Sequence, residues 1–183
     1  MNHWGIMEPQ ADQKCEWYGT VSSFLGIDLV SWGTALTSRL LKIGLPVDNS
    51  QKSAWINCFE KLKKVLPKVL DWNSEIGNWL IIFEYELLRE RGRRPDVLLL
   101  SDKQIYVLEF KQSDYAPQSY LDQVSAYARD IKNYHALSHE MEVIPILVLS
   151  NSVDFFSIID DVKCISPDQL LTFIQRASMN LSQ

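Results

Sequence analysis

The hydrophobic pattern of this chain changes period near residue 78, and that change constrains the fold more than any other feature. Before it, apolar residues recur at helical spacing, whereas three strand-length apolar runs follow it. The runs are NWLIIFEYELL, PDVLLLS and QIYVLEFKQ, and RERGRR and DK separate them. Both separators are typical of turns, so the pattern predicts three consecutive strands in an antiparallel meander.

Helical patterns flank these three runs. QKSAWINCFEKLKKVLPKVLDW places its apolar residues on one helix face, and SYLDQVSAYARDIKNYHAL returns to helical spacing after the third run. The next segment, EVIPILVLS, is nearly all apolar, as in a strand that is buried on both faces. A helix between two strands predicts a crossover, and VKCIS and SPDQLLTFIQRAS predict a further strand and a final helix. The fold class predicted by this order is α/β.

The region before residue 49 carries a helical pattern of its own. In TVSSFLGIDLVSWGTALTSRLLKIGL the apolar residues fall at helical spacing, and Asp28 can cap a second helix within it. With 183 residues and 46% hydrophobic content, the chain suits a single core. We therefore predict an N-terminal helical extension, residues 1–48, that packs on a core domain of residues 49–183.

The charge balance limits the classes of nucleic-acid-binding protein to which the chain could belong. A net charge of -5 argues against a protein that coats nucleic acid non-specifically, because that affinity comes from neutralising phosphates with Lys and Arg. A local basic groove is still compatible with it, and a solvated surface explains a run of charges equally well. The two basic runs are Arg89, Arg91, Arg93 and Arg94, and Lys61, Lys63, Lys64 and Lys68.

Cysteine usage and hydropathy indicate an intracellular protein. Cys15, Cys58 and Cys164 are far apart and form no CxxC pair, which argues against a zinc site or a disulfide framework. No apolar stretch reaches the roughly 18 residues that span a bilayer, and the N-terminus lacks a signal-peptide pattern. We expect a soluble, cytoplasmic protein that does not bind membranes.

Three charged residues interrupt the second and third apolar runs. Side chains alternate along a strand, so Glu109 and Lys111 share one face, about 7 Å apart along the strand. The turn to the preceding run is tight, so strand pairing could bring Asp96 close to both. Two adjacent carboxylates repel each other unless a cation lies between them, and a divalent metal suits their oxygen ligands. The alternative is an exposed strand face with an ion pair worth at most about 1 kcal/mol.

These motifs resemble those of the PD-(D/E)XK nuclease superfamily. The resemblance rests on RPD, twelve intervening residues and EFK, followed by QVSAY, which matches the Gln-x-x-x-Tyr motif of RecB-type members. AWINCFEKLKKVL, IIFEYEL, RPDVLLL, VLEFKQ and PILVLSNS are similar to the nuclease-like domain associated with bacterial Schlafen-like helicases, over roughly residues 17 to 152. The resemblance implies a restriction-endonuclease-like αβββαβ core, with a central mixed sheet flanked by helices, within residues 49–183.

The resemblance also implies roles for the charged residues. Asp96 and Glu109 would bind Mg²⁺ or Mn²⁺, with the carbonyl oxygen of Phe110 as a third ligand, and Lys111 would be the catalytic lysine. A water bound to the metal would attack the phosphodiester, while the lysine orients that water or stabilises the charge that develops on the phosphate.

Further residues complete the site that the resemblance implies. Gln123 and Tyr127 would lie over it, although a solvated helix position and a core tyrosine would explain them as well. An additional acidic ligand is expected at Glu84, because the equivalent strand of the family begins with a similar EY pair. Glu86 on the same strand and Glu60 on the preceding helix are the alternatives.

Two functions follow from the resemblance. The favoured one is a Mg²⁺-dependent deoxyribonuclease in DNA repair, recombination or defence against foreign DNA, with DNA and a helicase or another domain of such a system as partners. The rival is a non-catalytic module that keeps the nuclease fold, binds nucleic acid or a protein partner and regulates a helicase. A dimer is compatible with either function.

Overall fold

A mixed β-sheet lies at the centre of the molecule. The computed structural model describes residues 15, 17–42, 44–87, 93–134 and 140–180. Its strands are β1 (Trp17–Thr20), β2 (Leu80–Phe83), β3 (Val97–Leu100), β4 (Gln104–Lys111), β5 (Glu142–Leu149), β6 (Phe156–Ile159) and β7 (Val162–Ile165). Its helices are α1 (Val21–Gly26), α2 (Leu29–Lys42), α3 (Asn49–Trp72), α4 (Gln118–Tyr134) and α5 (Gln169–Asn180), with a 3-10 helix at Ser74–Asn78.

The order of the strands confirms the predicted α/β class. Within the described residues seven strands form one sheet, in the order β1-β2-β3-β4-β5-β7-β6. Strands β1 to β4 are antiparallel neighbours, β5 runs parallel to β4, β7 runs parallel to β5, and β6 is antiparallel to β7. The predicted meander is present as β2, β3 and β4. Helix α4 makes the predicted crossover, because it connects β4 to the parallel strand β5.

The two faces of the sheet bury separate hydrophobic clusters. Residues of α1, α2, α3 and α5 cover one face, and residues of α4 cover the other. Strand β4 contributes to both, since Tyr106 and Phe110 belong to the first cluster and Val107 to the second. Glu109 and Lys111 continue the alternation of Val107 and therefore project toward α4. The predicted sharing of one face by these two residues is confirmed.

The strands differ from the prediction in three places. The apolar run of residues 78–88 predicted a long strand, but β2 ends at Phe83 because Glu84 has a φ of 54°, which an extended strand cannot contain. The edge strands β1 and β6 were not predicted. Each has four residues, like β2 and β3, but neither is buried along its length as those two are, so no continuous apolar run marks it in the sequence.

Within residues 17–42 the N-terminal region is helical as predicted, except for β1, which pairs with β2. Asp28 caps α2, and its Oδ1 accepts a hydrogen bond from the backbone N–H of Ser31 at 2.9 Å. Phe24 of α1 and Trp32 of α2 pack against Phe59 of α3, with ring centroids 5.3 Å and 4.9 Å apart. The region thus shares its hydrophobic cluster with α3, while the boundary between residues 48 and 49 stays a prediction.

Two sequence expectations concern membranes and cysteines. Among the described helices, none combines the length and the apolar character needed to cross a bilayer. Cys15, Cys58 and Cys164 are all buried thiols outside any disulfide.

Lys63 differs from the other lysines of the basic run on α3. Its Nζ donates hydrogen bonds to the carbonyl oxygens of Leu25, in the last turn of α1, at 2.8 Å and of Ile27, just after that helix, at 2.6 Å. The same ammonium lies over the rings of Phe24 and Phe59, 5.1 Å and 5.0 Å from their centroids. Lys63 therefore joins α3 to the end of α1 and serves the fold rather than a solvated surface.

We expect Lys63→Met to destabilise the protein by about 1 to 3 kcal/mol, because two carbonyl groups lose a charged donor. Urea unfolding followed by circular dichroism measures the loss. The matched control is Lys64→Met at the next, exposed position, for which we expect a change within about 0.5 kcal/mol. Equal effects of the two substitutions would contradict the structural role of Lys63.

Candidate active site

The candidate site lies where β3 begins and β4 ends. Pairing of Val97 with Leu108 in the antiparallel ladder puts Asp96 opposite Glu109. The backbone N–H of Asp96 points at Glu109 Oε2 at 3.4 Å, and Asp96 Oδ2 accepts a hydrogen bond from the backbone N–H of Phe110 at 2.7 Å. The predicted approach of Asp96 to Glu109 is therefore present, and it depends on the register of β3 with β4.

Lys111 and Gln123 both bind the Glu109 carboxylate. Lys111 Nζ and Gln123 Nε2 donate to Glu109 Oε1 at 2.8 Å and 3.0 Å. Gln123 Nε2 also donates to the hydroxyl oxygen of Tyr127 at 2.8 Å. The EFK motif of β4 and the QVSAY motif of α4 thus form one hydrogen-bonded network, since α4 packs on the face from which Glu109 projects.

The ring of Tyr120 completes the surroundings of Lys111. Lys111 Nζ lies 5.0 Å from the ring centroid, a distance at which the negative face of the ring attracts the ammonium. Tyr120 belongs to the segment SYLDQVSAYARDIKNYHAL, for which the sequence predicted helical spacing and no contact with the site. Its contact with Lys111 depends on how α4 docks on the sheet, which no spacing in the sequence reveals.

Burial makes the carboxylate pair electrostatically unfavourable. Glu109 is 3% exposed, and burial followed by the negative charge of Asp96 raises its pKa to about 8, against the opposing effect of Lys111. Burial also raises the pKa of Asp96 to about 6, although Phe110 N–H and Lys111 favour its charged form. The pair would keep a proton at a pH at which ordinary carboxyl groups are ionised.

The charge on Lys111 is stabilised by its partners. Burial would lower the pKa of Lys111, but the carboxylates of Glu109 and Asp96 hold it above its usual value. Lys111 is therefore a fixed positive charge beside the carboxylates at neutral pH. It cannot act as a general base there, but it can stabilise negative charge on a bound group.

Of the three additional acidic residues considered, Glu84 is the buried one. It follows β2, is 8% exposed, and accepts a hydrogen bond from Trp55 Nε1 at 2.9 Å. Its backbone N–H donates to the carbonyl oxygen of Asp96 at 3.1 Å. Glu86 is exposed, and its Oε2 lies 3.6 Å from Nη2 of Arg94. Glu60 is exposed on α3. Glu86 therefore does not share a strand face with Glu84, because the strand has already ended.

Cys58 is a neighbour of the site that no motif in the sequence marked. It is buried on α3, and burial followed by the charges of Asp96, Glu84 and Glu109 raises the pKa of its thiol well above the usual value. The negative charges of all three carboxylates therefore act on this side chain. Cys58 was predicted as part of the apolar face of α3, and its protonated thiol is consistent with that apolar role.

The carboxylate oxygens of Asp96 and Glu109 are the kind of ligand atom that a hard divalent cation prefers. Asp96 lies opposite Glu109 across the strand pair, and Asp96 Oδ1 has no hydrogen-bond partner among the described residues. In the same part of the chain, no group of three or more His, Cys, Asp or Glu side chains is arranged to hold a metal. Mg²⁺ needs only one or two protein carboxylates because it keeps several of its waters. The two carboxylates are thus compatible with Mg²⁺ or Mn²⁺, without a preformed cage.

A groove of about 760 Å³ adjoins the site along α4. Gln123 and Tyr127 line it together with Arg93 and Arg129, both of which are exposed. Of the arginine run noted in the sequence, Arg89 and Arg91 lie outside the described residues, and Arg94 is the neighbour of Glu86.

Comparisons with known proteins identify no relative of this chain: no family model, curated protein or solved structure matches it.

Proposed function

We propose that this protein is a Mg²⁺- or Mn²⁺-dependent nuclease that hydrolyses phosphodiester bonds in DNA. The observation that carries the proposal is the convergence of Asp96, Glu109 and Lys111 on one face of the sheet, where Glu109 is buried and the other two are half-buried. Each carboxylate lies within hydrogen-bonding distance of a backbone N–H, that of Asp96 or that of Phe110. The element order α3, β2, β3, β4, α4, β5, with β5 parallel to β4, supports a restriction-endonuclease-like core.

The cost of this arrangement supports a functional role. Burying two carboxylates next to each other is unfavourable because each loses hydration and repels the other. A sheet of apolar residues gains no stability from such a pair, and Lys111 compensates only one charge. Titratable groups with strongly shifted pKa values cluster at functional sites, so Asp96 and Glu109 fit a site that binds a cation.

Asp96 and Glu109 would hold the metal, with the carbonyl oxygen of Phe110 as a further ligand and Glu84 as an additional carboxylate nearby. The ion would supply an activated water and positive charge for the phosphate. Lys111 would stabilise the negative charge that develops on the phosphate oxygens, while Glu109 and the Tyr120 ring keep its ammonium in place. Gln123 would orient the Glu109 carboxylate, because it bridges Glu109 and Tyr127.

A second candidate is a non-catalytic module that binds nucleic acid or a protein partner. The observation that favours it is the hydrogen bonding of Glu109 Oε1, which already accepts bonds from both Lys111 and Gln123. An internally satisfied carboxylate of this kind could be a structural network rather than a metal ligand. In that case, regulation of a helicase within a repair or defence system would be the corresponding role.

Two measurements test the nuclease proposal. We expect cleavage of linear, circular or single-stranded DNA in the presence of Mn²⁺ or Mg²⁺ and none in EDTA. We also expect calorimetry to detect Mn²⁺ binding that is lost in Glu109→Gln. The matched control for this substitution is Glu60→Gln, which changes an exposed carboxylate on α3. Absence of both cleavage and Mn²⁺ binding in the unmodified protein would overturn the proposal in favour of the module.

A further inference from the structure

Three lysines line one groove on α3. Lys61, Lys64 and Lys68 follow each other at intervals of three and four residues, which brings them to the same side of the helix. They border a cavity of about 280 Å³ whose other wall is the loop from Ser150 to Val153 and the start of α5. Lys64 and Lys68 are exposed and Lys61 is half-buried. We call these three residues and the loop 150–153 the lysine groove.

The three lysines of the lysine groove do not contribute polar contacts to the described fold. None of its three lysines forms an ion pair or side-chain hydrogen bond with a described residue, in contrast to Lys63. Asp168 is the acidic residue of the groove, and its carboxylate accepts hydrogen bonds from the backbone N–H of Asp154 at 3.2 Å and 3.3 Å. The groove therefore carries three positive charges and one negative charge, which suits a polyanion.

Hydrogen bonds connect the lysine groove to the candidate active site. Asn57, one turn before Lys61 on α3, donates from Nδ2 to Ser150 Oγ at 2.8 Å. The backbone N–H of Ser150 donates to the carbonyl oxygen of Lys111 at 2.8 Å. The loop that forms one wall of the groove thus begins beside the backbone of Lys111, at the end of β4. The groove lies on the α3 side of the sheet and the Lys111 side chain projects to the α4 side, so a chain bound in the groove reaches the site by crossing this end of the sheet.

Two exposed aromatic side chains adjoin the lysine groove, one through the loop 150–153 and one along α3. Tyr115 is 67% exposed and belongs to a turn that Ser113 holds, with Ser113 Oγ bound to both the N–H and the carbonyl oxygen of Tyr115. Asn151 of the groove donates its backbone N–H to the carbonyl oxygen of Ser113 at 3.2 Å. Trp72 is 41% exposed and follows Lys68 by four residues, on the same side of α3.

From this juxtaposition we infer that the lysine groove binds single-stranded DNA and leads it to the active site, an inference that rests on the proposed nuclease function. The lysines contact phosphates, and the rings of Tyr115 and Trp72 stack on unpaired bases. The track from Lys61 to Trp72 is about 16 Å long, enough for a few nucleotides. A duplex would leave both rings without a partner, because its base faces are already stacked.

Binding is measured by fluorescence anisotropy with a labelled oligodeoxynucleotide of about 16 nucleotides, in EDTA so that no cleavage occurs. We expect Lys64→Glu/Lys68→Glu to weaken binding by at least about 10-fold and to lower the salt slope by about 1.4, since two phosphate contacts are lost. The matched control is Lys42→Glu/Lys52→Glu, an equal change in charge at two exposed lysines outside the groove. The control is expected to bind within about 2-fold of the unmodified protein, because long-range charge effects are screened by salt.

The contribution of stacking is tested separately at Tyr115. We expect Tyr115→Ala to weaken binding of the oligonucleotide by about 5-fold or more, and Tyr115→Phe to bind normally because it keeps the ring. A duplex of the same length is expected to bind more weakly than the single strand. Circular dichroism of each variant checks that the fold is retained.

The outcomes separate this inference from the proposed function. Normal binding by both Lys64→Glu/Lys68→Glu and Tyr115→Ala, or tighter binding of the duplex than of the single strand, would overturn the single-strand track even if the protein cleaves DNA. Groove-dependent binding of the single strand, without cleavage and without Mn²⁺ binding, would support the track and overturn the nuclease proposal alone.

Discussion

Lys111→Met is expected to lower the rate of metal-dependent DNA cleavage by about 10²- to 10³-fold, the usual cost of removing one group that stabilises developing charge. Lys111 is the cation adjacent to both Glu109 and the Tyr120 ring, so its ammonium is already oriented before substrate binds. Methionine keeps most of the aliphatic volume and removes the charge. The measurement is the single-turnover cleavage rate at saturating Mn²⁺, with saturation verified by calorimetry.

The control for this prediction lies at the other end of the same strand. Lys103 precedes β4 in the exposed turn after β3, so Lys103→Met removes an equal charge far from Asp96 and Glu109. We expect it to cleave at the rate of the unmodified protein. Full cleavage activity in Lys111→Met, with the fold intact, would show that Lys111 has no part in the chemistry.

Asp96→Asn is expected to stabilise the metal-free protein at pH 8, with an increase in Tm of about 3 to 8 °C. The reason is the cost of the buried carboxylate pair. Asparagine removes one of the two negative charges, keeps an oxygen that can accept the Phe110 N–H, and leaves the ion pair of Lys111 with Glu109 intact. Asp96→Asn would thus lose metal binding and gain thermal stability.

The sign of the pH dependence follows from the direction of the pKa shifts. Asp96 and Glu109 have pKa values raised to about 6 and about 8, so the folded state binds more protons than the unfolded state over that range. Their contribution to stability is fully present below the unfolded pKa values and is lost as the pH rises through the folded ones. The unmodified metal-free protein should therefore become less stable between pH 5 and pH 8, on the order of a few kcal/mol in free energy of unfolding.

Thermal unfolding at pH 5 and pH 8, with and without Mn²⁺, tests this prediction. At pH 5 the unmodified protein and Asp96→Asn should have similar Tm values, and at pH 8 they should differ. Mn²⁺ should raise the Tm of the unmodified protein at pH 8 and leave Asp96→Asn unchanged, because a ligand stabilises the state that binds it. Asp102→Asn, at an exposed position in the turn after β3, is the control. Identical pH profiles for the unmodified protein and Asp96→Asn would contradict the electrostatic cost.

Much of the fold was predictable because its signals are local. The change from helical spacing to a period of two marked the order of α3, β2, β3 and β4, and the apolar run of β5 after a helix implied the parallel crossover. The missed strands β1 and β6 have four residues each, and their pairing partners rather than their own pattern make them strands. The early end of β2 at Glu84 depends on a left-handed backbone that no residue type at that position announces.

In the candidate site, too, the relations within one strand or helix were predictable from the sequence. The common face of Glu109 and Lys111 was determined by the sequence itself, because side chains alternate along a strand whatever its neighbours are. The spacing of Gln123 and Tyr127 likewise put both on one side of a helix. These relations need only the local backbone geometry of β4 and α4.

Relations between elements were decided by the tertiary structure alone. The ladder register brought Asp96 opposite Glu109, and the burial of Glu84 after β2 put its backbone in contact with Asp96. Packing of α3 buried Cys58 within range of these charges while Glu60 stayed exposed. Packing against α1 also separated Lys63 from the neighbouring lysines that line the groove. The physical reason is that a local sequence pattern specifies the direction of a side chain on its own element, whereas contacts, burial and pKa values depend on residues distant in the chain.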